Sequence, residues 1–214
     1  MHKSVLILLS LLVVSCGKKR DVLLPQAFTS VVTNVIDHSP IYIFFTVNGK
    51  DTIAEVNRKN SIISTNWLFN IDKRLPLRLV IPEVMKLQTK KRGESAHKNE
   101  KAENYYSYAD TVHKSLAFLP FTNVFYKLSK PNRATNLVYC KKNGELEYNG
   151  QSFKNFDHFI AKNSTNSENR KTKLQIAFDS NMKFGDYVTL KIKLFKLNSK
   201  SAIINFDQNQ EFIY

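Results

Sequence analysis

The first strongly patterned part of the chain is a run of β-branched and aromatic residues at positions 41–47. Asn48-Gly49 follows this run, and apolar residues resume over positions 52–56. An Asn-Gly pair between two such runs is typical of a tight hairpin turn, because the turn positions need positive φ angles. The pattern therefore predicts a β-hairpin over residues 41–56.

The segment after this hairpin has apolar residues at helical spacing. They recur one, three or four positions apart up to Leu75, Ser64 can act as the N-cap, and Pro76 would end the helix. Residues 77–81 form a short apolar run that is typical of a buried strand. We therefore expect a helix over residues 64–75 and a strand over residues 77–81.

The middle of the chain begins with a change of composition. Residues 86–103 contain six Lys or Arg and three Glu with almost no apolar residue, which predicts an exposed loop or insertion. The aromatic segment that follows predicts a second helix over residues 105–119. Pro120 separates it from a strand predicted at residues 121–128.

The second half of the chain repeats the plan of the first. Its pattern predicts a hairpin over residues 137–148 around Asn143-Gly144, a helix that begins at Ser152 and a strand over residues 173–178. The pattern of residues 41–81 predicts the same order of strand, Asn-Gly, strand, helix and strand. We therefore hypothesise that the chain contains two copies of one small module.

The last part of the chain is ambiguous between strand and helix. Residues 188–194 alternate between apolar and polar side chains, as in a half-buried strand, but an apolar arc at 100° per residue also fits residues 184–197. Lys191 is the one polar residue on that arc. A final strand is predicted over residues 201–206 and 211–214.

These elements predict an α+β fold with small mixed sheets and helices packed on one face. Residues 40–130 would form the first module, with the insertion at residues 86–103, and residues 131–214 the second. With 43% hydrophobic residues and only 6 Gly and 6 Pro, the 214-residue chain is neither collagenous nor wholly disordered.

The N-terminus predicts export and a lipid anchor. A Lys-containing start and about ten apolar residues have the length of a signal peptide, which we assign to residues 1–15. The following Val14-Ser15-Cys16-Gly17 resembles the bacterial lipobox, whose cysteine receives a diacylglyceryl group before cleavage. Cys16 is therefore the predicted lipid attachment site, and residues 16–39 the lipidated N-terminus and tether. The alternative is a free cysteine after an uncleaved apolar segment, which is too short to span a bilayer.

The charge and the second cysteine refine this picture. The formal charge of +14 predicts attraction to polyanions, but an exported, tethered protein rarely meets nucleic acid, so nucleic acid is not an expected partner. The basic cluster directly after Cys16 would either touch anionic head groups or serve as a solvated linker. Cys140 lies in an apolar run and is expected to be buried.

Residues 137–214 resemble the periplasmic domain of the ExbD/TolR family, which serves proton-driven motors in Gram-negative envelopes. The resemblance rests on four motifs in order: Lys142-Asn143-Gly144-Glu145-Leu146, Tyr148-Asn149-Gly150-Gln151-Ser152, Leu174-Gln175-Ile176-Ala177-Phe178-Asp179 and Met182-Lys183-Phe184-Gly185-Asp186-Tyr187-Val188. The last motif is similar to the entry into the family's second helix, and it favours a helix over residues 184–197.

One difference from the family limits what the resemblance implies. Motor components of the family carry an acidic residue in an N-terminal membrane helix, whereas residues 4–15 contain no Asp or Glu. The motor role is therefore not transferred to this chain. The resemblance implies a periplasmic module, tethered to the membrane, that dimerises or meets an envelope partner.

Known catalytic and metal-binding motifs are absent from the sequence. We find no Gly-rich phosphate loop, no nucleophile elbow and no His-Glu-x-x-His, and the five His are not at ligand spacing. Asp179 and Asp186 could pair for acid–base work, but strand termination and helix capping are the favoured explanation. His158 is expected on the surface. No catalytic residue, metal or cofactor is predicted.

The sequence supports three functional hypotheses. The first is a non-catalytic, lipid-anchored envelope accessory or transport-linked interaction module that pairs with an envelope protein or as a homodimer. Its predicted interaction edge is the last strand, with side chains Ile203, Ile204, Phe206, Phe212 and Tyr214. The second is a basic module that binds peptidoglycan or another anionic polymer. The third is a hydrolase.

Overall fold

A computed structural model describes residues 20–93, 99–131, 136–164, 173–199 and 204–214. Cys16 and Ile203 lie outside these residues. The described chain forms three helices and two mixed sheets of six strands each. The predicted α+β class is therefore confirmed. None of the helices in the described ranges is long and apolar enough to cross a membrane.

The first sheet is built mainly from parallel neighbours. Its strands are β1 (Gln26–Ala27), β2 (His38–Asn48), β3 (Asp51–Asn57), β4 (Asn66–Ile71), β5 (Asn104–Asp110) and β6 (Ser115–Pro120). β4 lies between β2 and β5 and is parallel to both, while β3 and β6 pair antiparallel with β2 and β5. Helix α1 (Leu77–Arg92) connects β4 to β5.

The second sheet has the order β10-β9-β8-β11-β12-β7. Its strands are β7 (Phe125–Lys127), β8 (Leu137–Cys140), β9 (Leu146–Tyr148), β10 (Gln151–Phe153), β11 (Lys173–Phe178) and β12 (Asn205–Ile213). Helix α2 (Phe156–Asn163) precedes β11, and helix α3 (Phe184–Ser199) connects β11 to β12. β7, which comes before the predicted module boundary at residue 131, pairs with β12 in this sheet.

Both Asn-Gly hairpins are present as predicted. Val47 pairs with Thr52 beside the first turn, where Gly49 has a φ of 61°. Cys140 pairs with Leu146 beside the second, where Gly144 has a φ of 88°. A positive φ is accessible to glycine at little cost, so the turn residues define both registers.

The remaining predictions for the second half are mostly correct. The strand at residues 173–178 is confirmed, and residues 184–199 form helix α3, as the family resemblance favoured. The predicted start at Ser152 is wrong, since this residue lies in β10. Asn155 caps α2 instead, because its side-chain oxygen accepts a hydrogen bond from the His158 N–H at 2.9 Å.

The two elements predicted after the first hairpin are interchanged in type. The predicted helix at residues 64–75 contains strand β4, in which Trp67 and Phe69 face one side and Leu68 the other, and all three are buried. Burial on both faces removes the alternation of a half-buried strand and imitates helical spacing. The predicted strand at residues 77–81 is the start of α1, which continues through Pro82.

The middle of the chain also differs from its prediction. Residues 86–92 of the predicted insertion belong to α1, residues 94–98 lie outside the described part, and residues 99–103 form a loop. Residues 105–119 form the β5–β6 hairpin rather than a helix, since the aromatic side chains of β5 are buried on both faces. The strand predicted at residues 121–128 is reduced to β7.

One hydrophobic core joins both sheets and the helices. Inward side chains such as Ile43 and Trp67 of the first sheet and Ile176 of the second belong to the same buried cluster as the apolar faces of α1 and α3. The opposite faces of the sheets have two small separate clusters, around Leu68 and around Ala177. The helices therefore pack on one face of each sheet, as predicted.

The segments that lead into α1 and α3 contact each other through reciprocal hydrogen bonds, and we call this contact the crossing. Leu77 N–H donates to Met182 C=O at 2.9 Å, and Phe184 N–H donates to Leu75 C=O at 2.8 Å. Outside this pair, Arg78 N–H donates to Ser180 C=O at 2.8 Å. Its equivalent is the bond from Gly185 N–H to Lys73 C=O at 3.0 Å. Equivalent residues differ by 107 in number, so the crossing has local twofold symmetry.

The symmetry extends to the strands that enter the crossing. Asp72 follows β4 and accepts from Arg74 N–H at 3.0 Å, while Asp179 follows β11 and accepts from Asn181 N–H at 2.8 Å. The segment from the parallel strand through Asp to the helix thus occurs twice. This geometry agrees with the predicted repeat, although the strands that align are β4 and β11 rather than those read from the sequence.

A side chain at Gly185 should disturb this crossing. A Cβ there would lie 3.0 Å from Lys73 Cβ and 3.4 Å from Lys73 O. We expect Gly185→Val to lower the free energy of unfolding by about 1–3 kcal/mol through overpacking, measured by urea denaturation. Thr189→Val, one turn along the exposed side of α3, should change it by less than about 0.5 kcal/mol. Equal effects of the two variants would contradict the close approach.

Candidate functional site

A buried network of tyrosines and one ion pair lies where the two sheets meet. The hydroxyls of Tyr106 on β5 and Tyr126 on β7 are 2.7 Å apart, and Tyr126 is 3.3 Å from the hydroxyl of Tyr187 on α3. Tyr187 donates to Glu211 Oε2 on β12 at 2.7 Å, and Lys191 Nζ donates to Glu211 Oε1. The network therefore links both sheets and α3.

The ion pair is the costly part of this network. Glu211 is fully buried, and the Lys191 side chain is only 12% exposed. Removing two charges from water costs several kcal/mol per ion, so such a pair is tolerated only when each charge has close hydrogen-bonding partners. Glu211 meets this condition, because each of its oxygens accepts from a different donor.

The phenols of the network are neutral at physiological pH. Burial raises the pKa of Tyr126 and Tyr187, and the negative charge of Glu211 raises both pKa values further. Burial and the neighbouring Tyr126 raise the pKa of Tyr106 in the same way. Cys140 is buried, as expected, and burial followed by Glu211 raises its thiol pKa. The thiol is therefore protonated and a poor nucleophile.

An open pocket of about 180 Å³ reaches the network from the surface. Its walls come from the segment after β6, from α3 and from β12, where residues 207–209 have no partner in the paired registers. Lys191 belongs both to the pocket lining and to the ion pair. The lining combines apolar and polar side chains, among them Phe121, Thr122, Asn123, Phe206, Asp207 and Gln208.

The predicted interaction edge is not an edge. β12 is paired on both sides, with β11 and with β7, so it lies inside the second sheet. Ile204, Phe206 and Phe212 are buried, and Tyr214 is half-buried and stacks on Tyr139 with 5.1 Å between ring centroids. The sequence does not reveal that β7, from a distant part of the chain, covers this strand.

Strand β3 is an outer strand of the first sheet. It pairs with β2 alone, and each of its side chains is exposed or half-buried. Val47 next to the turn is 61% exposed, and Ile53 is 40% exposed. An outer strand with exposed apolar side chains can accept another extended segment.

Ser30, Asp110 and His113 form a small polar cluster at the end of β5. Asp110 accepts from Ser30 Oγ at 2.6 Å and pairs with His113 Nδ1 at 2.8 Å, and these hydrogen bonds lower its pKa. The carboxylate lies between the hydroxyl and the imidazole, so the histidine does not reach the serine as a general base would. Asp186 lies in the first turn of α3, and Asp179 accepts backbone N–H groups, as capping predicts.

Lys91 is a second buried amine. Its Nζ donates to Thr65 C=O at 3.0 Å and to Glu103 C=O at 2.9 Å, and it lies 5.0 Å from the centre of the Trp67 ring. Burial lowers its pKa to about 8. The residue thus joins the last turn of α1 to β4 and to the loop before β5.

Sequence reasoning missed the buried charges. The signal was present at Lys191, which interrupts the apolar arc of residues 184–197 and therefore needs a buried partner. Glu211 is the one acidic residue in the last four positions, but nothing in the pattern joins it to Lys191. Lys91 was assigned to an exposed insertion because the segment around it is highly charged. His158 is exposed, as predicted.

The comparisons identify no relative. No family model, no curated protein and no solved structure matches the chain. Within the described ranges, no group of three or more His, Cys, Asp or Glu is arranged to hold a metal ion.

Removing Lys191 should leave a buried charge without its partner. We expect Lys191→Met to lower the free energy of unfolding by about 3–5 kcal/mol, and the double variant with Glu211→Gln to recover at least half of this loss. Lys193→Met on the same helix removes an exposed pair with Asp157 and should cost less than about 1 kcal/mol. A loss below about 1 kcal/mol for Lys191→Met in urea denaturation would show that the pair is not a buried constraint.

The lowered pKa of Lys91 predicts a pH dependence with a defined sign. Between pH 8 and the ordinary lysine value of 10.5 the unfolded chain binds this proton more strongly, so stability should rise with pH. The free energy of unfolding of the wild type, minus that of Lys91→Met, should increase by about 2 kcal/mol from pH 8 to pH 10.5. The matched control is Lys90→Met, which removes an exposed lysine one position earlier in α1. A flat difference for Lys91→Met would contradict the shift.

Proposed function

We propose that the protein is a lipid-anchored periplasmic lipoprotein that acts as a non-catalytic interaction module of the cell envelope. The observation that carries this proposal is the segment Val14-Ser15-Cys16-Gly17 directly after an apolar stretch of signal-peptide length. Acyl chains on Cys16 would give durable attachment, since each buried methylene contributes about 0.8 kcal/mol.

The contacts of Arg20 support a short tether. This residue lies four positions after Cys16, and its side chain contacts the folded domain through Glu55 and Phe44. A domain held this closely to a membrane is suited to contacts with other envelope components. It is poorly suited to capturing partners far from the bilayer.

The outer strand β3 supports the interaction role. It offers backbone groups for strand addition next to Val47 and Ile53, which replaces the edge expected at β12. The resemblance of residues 137–214 to ExbD/TolR supports the same class of function, because the order of hairpin, helix, strand, helix and strand in that region matches the expected one. An envelope protein or a second copy of the chain is the proposed partner.

The anchor is tested by intact mass and membrane fractionation of the full-length protein beside Cys16→Ala. We expect the wild type to lose residues 1–15, to gain the mass of its acyl groups and to remain with membranes after a high-salt wash. The variant should be unprocessed and unacylated. Identical processing and mass in both proteins would contradict the lipoprotein assignment.

A further inference from the structure

A basic groove lies beside the outer strand of the first sheet. It runs between the residues that follow β3 and the last turn of α1, and we call it the basic groove. Its cationic side chains are Arg20, Arg58, Lys59 and Lys90. Glu55, which pairs with Arg20, is the one carboxylate among the described residues that line it. The groove therefore has an excess of positive charge.

The position of Arg20 limits the distance between this groove and the anchor. Arg20 lies four positions after Cys16, and an extended chain advances at most about 3.6 Å per residue, so the two Cα atoms are at most about 14 Å apart. Arg20 itself lines the groove. A lipid on Cys16 would therefore keep the basic groove within the depth of the head-group region and its counter-ion layer.

We propose that the basic groove docks on the phosphate groups of anionic lipids in the membrane that carries the anchor. The inference rests on the proposed lipid attachment for its orientation and on the groove itself for its chemistry. Lysine and arginine side chains near an anionic bilayer each contribute favourably, and the contribution falls off within a Debye length. Lys18 and Lys19 in the tether add to the same charge.

Docking would orient the domain on the membrane. The groove borders β3, so lipid contact would hold this outer strand close to the bilayer, where a partner in the same membrane surface layer would meet it. A freely rotating domain on a single lipid would have no such preference.

The test measures vesicle binding of the unacylated chain from Gly17 to Tyr214, which contains every described residue. Vesicles with about 30% phosphatidylglycerol are compared with pure phosphatidylcholine vesicles by co-sedimentation. Binding is measured at about 50 mM and 300 mM salt, because surface attraction is screened as salt rises. We expect binding to the anionic vesicles only, and a marked decrease at the higher salt concentration.

Two variants with equal net charge separate the groove from overall charge. The groove variant combines Arg58→Ser, Lys59→Ser and Lys90→Ser, and the control combines the exposed residues of the second half in Lys142→Ser, Lys154→Ser and Lys162→Ser. We expect the groove variant to bind anionic vesicles at least tenfold more weakly and the control less than threefold more weakly. Their thermal unfolding midpoints should match that of the wild type.

Several results would overturn the proposal. Equal losses in the two variants would show that net charge alone attracts the protein, and equal binding to neutral vesicles would exclude phosphate recognition. A groove variant that loses retention on an anionic-polymer column but keeps vesicle binding would assign the groove to a polymer instead. Absence of acylation at Cys16 would refute the proposed anchor and leave the vesicle result standing, so the two failures are distinguishable.

Discussion

The fold depends on the reciprocal hydrogen bonds at the starts of α1 and α3. The first N–H groups of a helix have no acceptor inside that helix. In α1 the N-cap residue is Pro76, which makes no side-chain hydrogen bond to the helix start. Each helix instead donates to the turn that precedes the other, through Leu77 to Met182 and through Phe184 to Leu75. Leu77 and Phe184 are both buried, so water does not reach their backbone N–H groups. Either N–H without an acceptor in the protein would therefore cost free energy. Neither half completes its helix start alone, so the two halves depend on each other for these hydrogen bonds.

The tyrosine network is a second link between the halves. Tyr126 lies on β7, which precedes residue 131 in the chain but pairs with β12 in the second sheet. The Tyr126 hydroxyl therefore contacts Tyr106 in the first sheet and Tyr187 on α3. The carboxylate of Glu211 ends this series of hydrogen bonds, and it accepts from both Lys191 and Tyr187. Polar groups arranged in this way favour one packing of the two sheets over others, because a shift of one sheet would leave a buried charge without its hydrogen-bonding partners.

The sequence predicts local turns well and two-sided burial poorly. Both hairpins were predictable because Asn-Gly defines the turn and alternation defines the strands. The strand at β4 and the hairpin of β5 and β6 were not, because sheets covered on both faces lose the alternation that identifies a strand. α1 was missed because Pro76 and Pro82 both indicate boundaries. Pro76 is the N-cap of α1, but Pro82 lies in the second turn, where proline lacks the N–H of the usual i−4 hydrogen bond and normally argues against a helix. The ion pair of Lys191 and Glu211 was beyond prediction, because its partners are brought together only by the pairing of β12 between β11 and β7.

The charged side chains discussed above fall into a buried set and an exposed set. The fold buries Glu211 with Lys191 and places Lys91 against backbone carbonyls, so each of these buried charges has hydrogen-bonding partners. Arg58, Lys59 and Lys90 instead line one groove at an outer strand, although their self-repulsion would favour separation. Because these side chains are exposed, solvent screens their repulsion, and they are free to contact an anionic surface. A membrane attached through Cys16 would supply that surface at the required distance, which connects the lipid anchor of the sequence to the charge pattern of the fold.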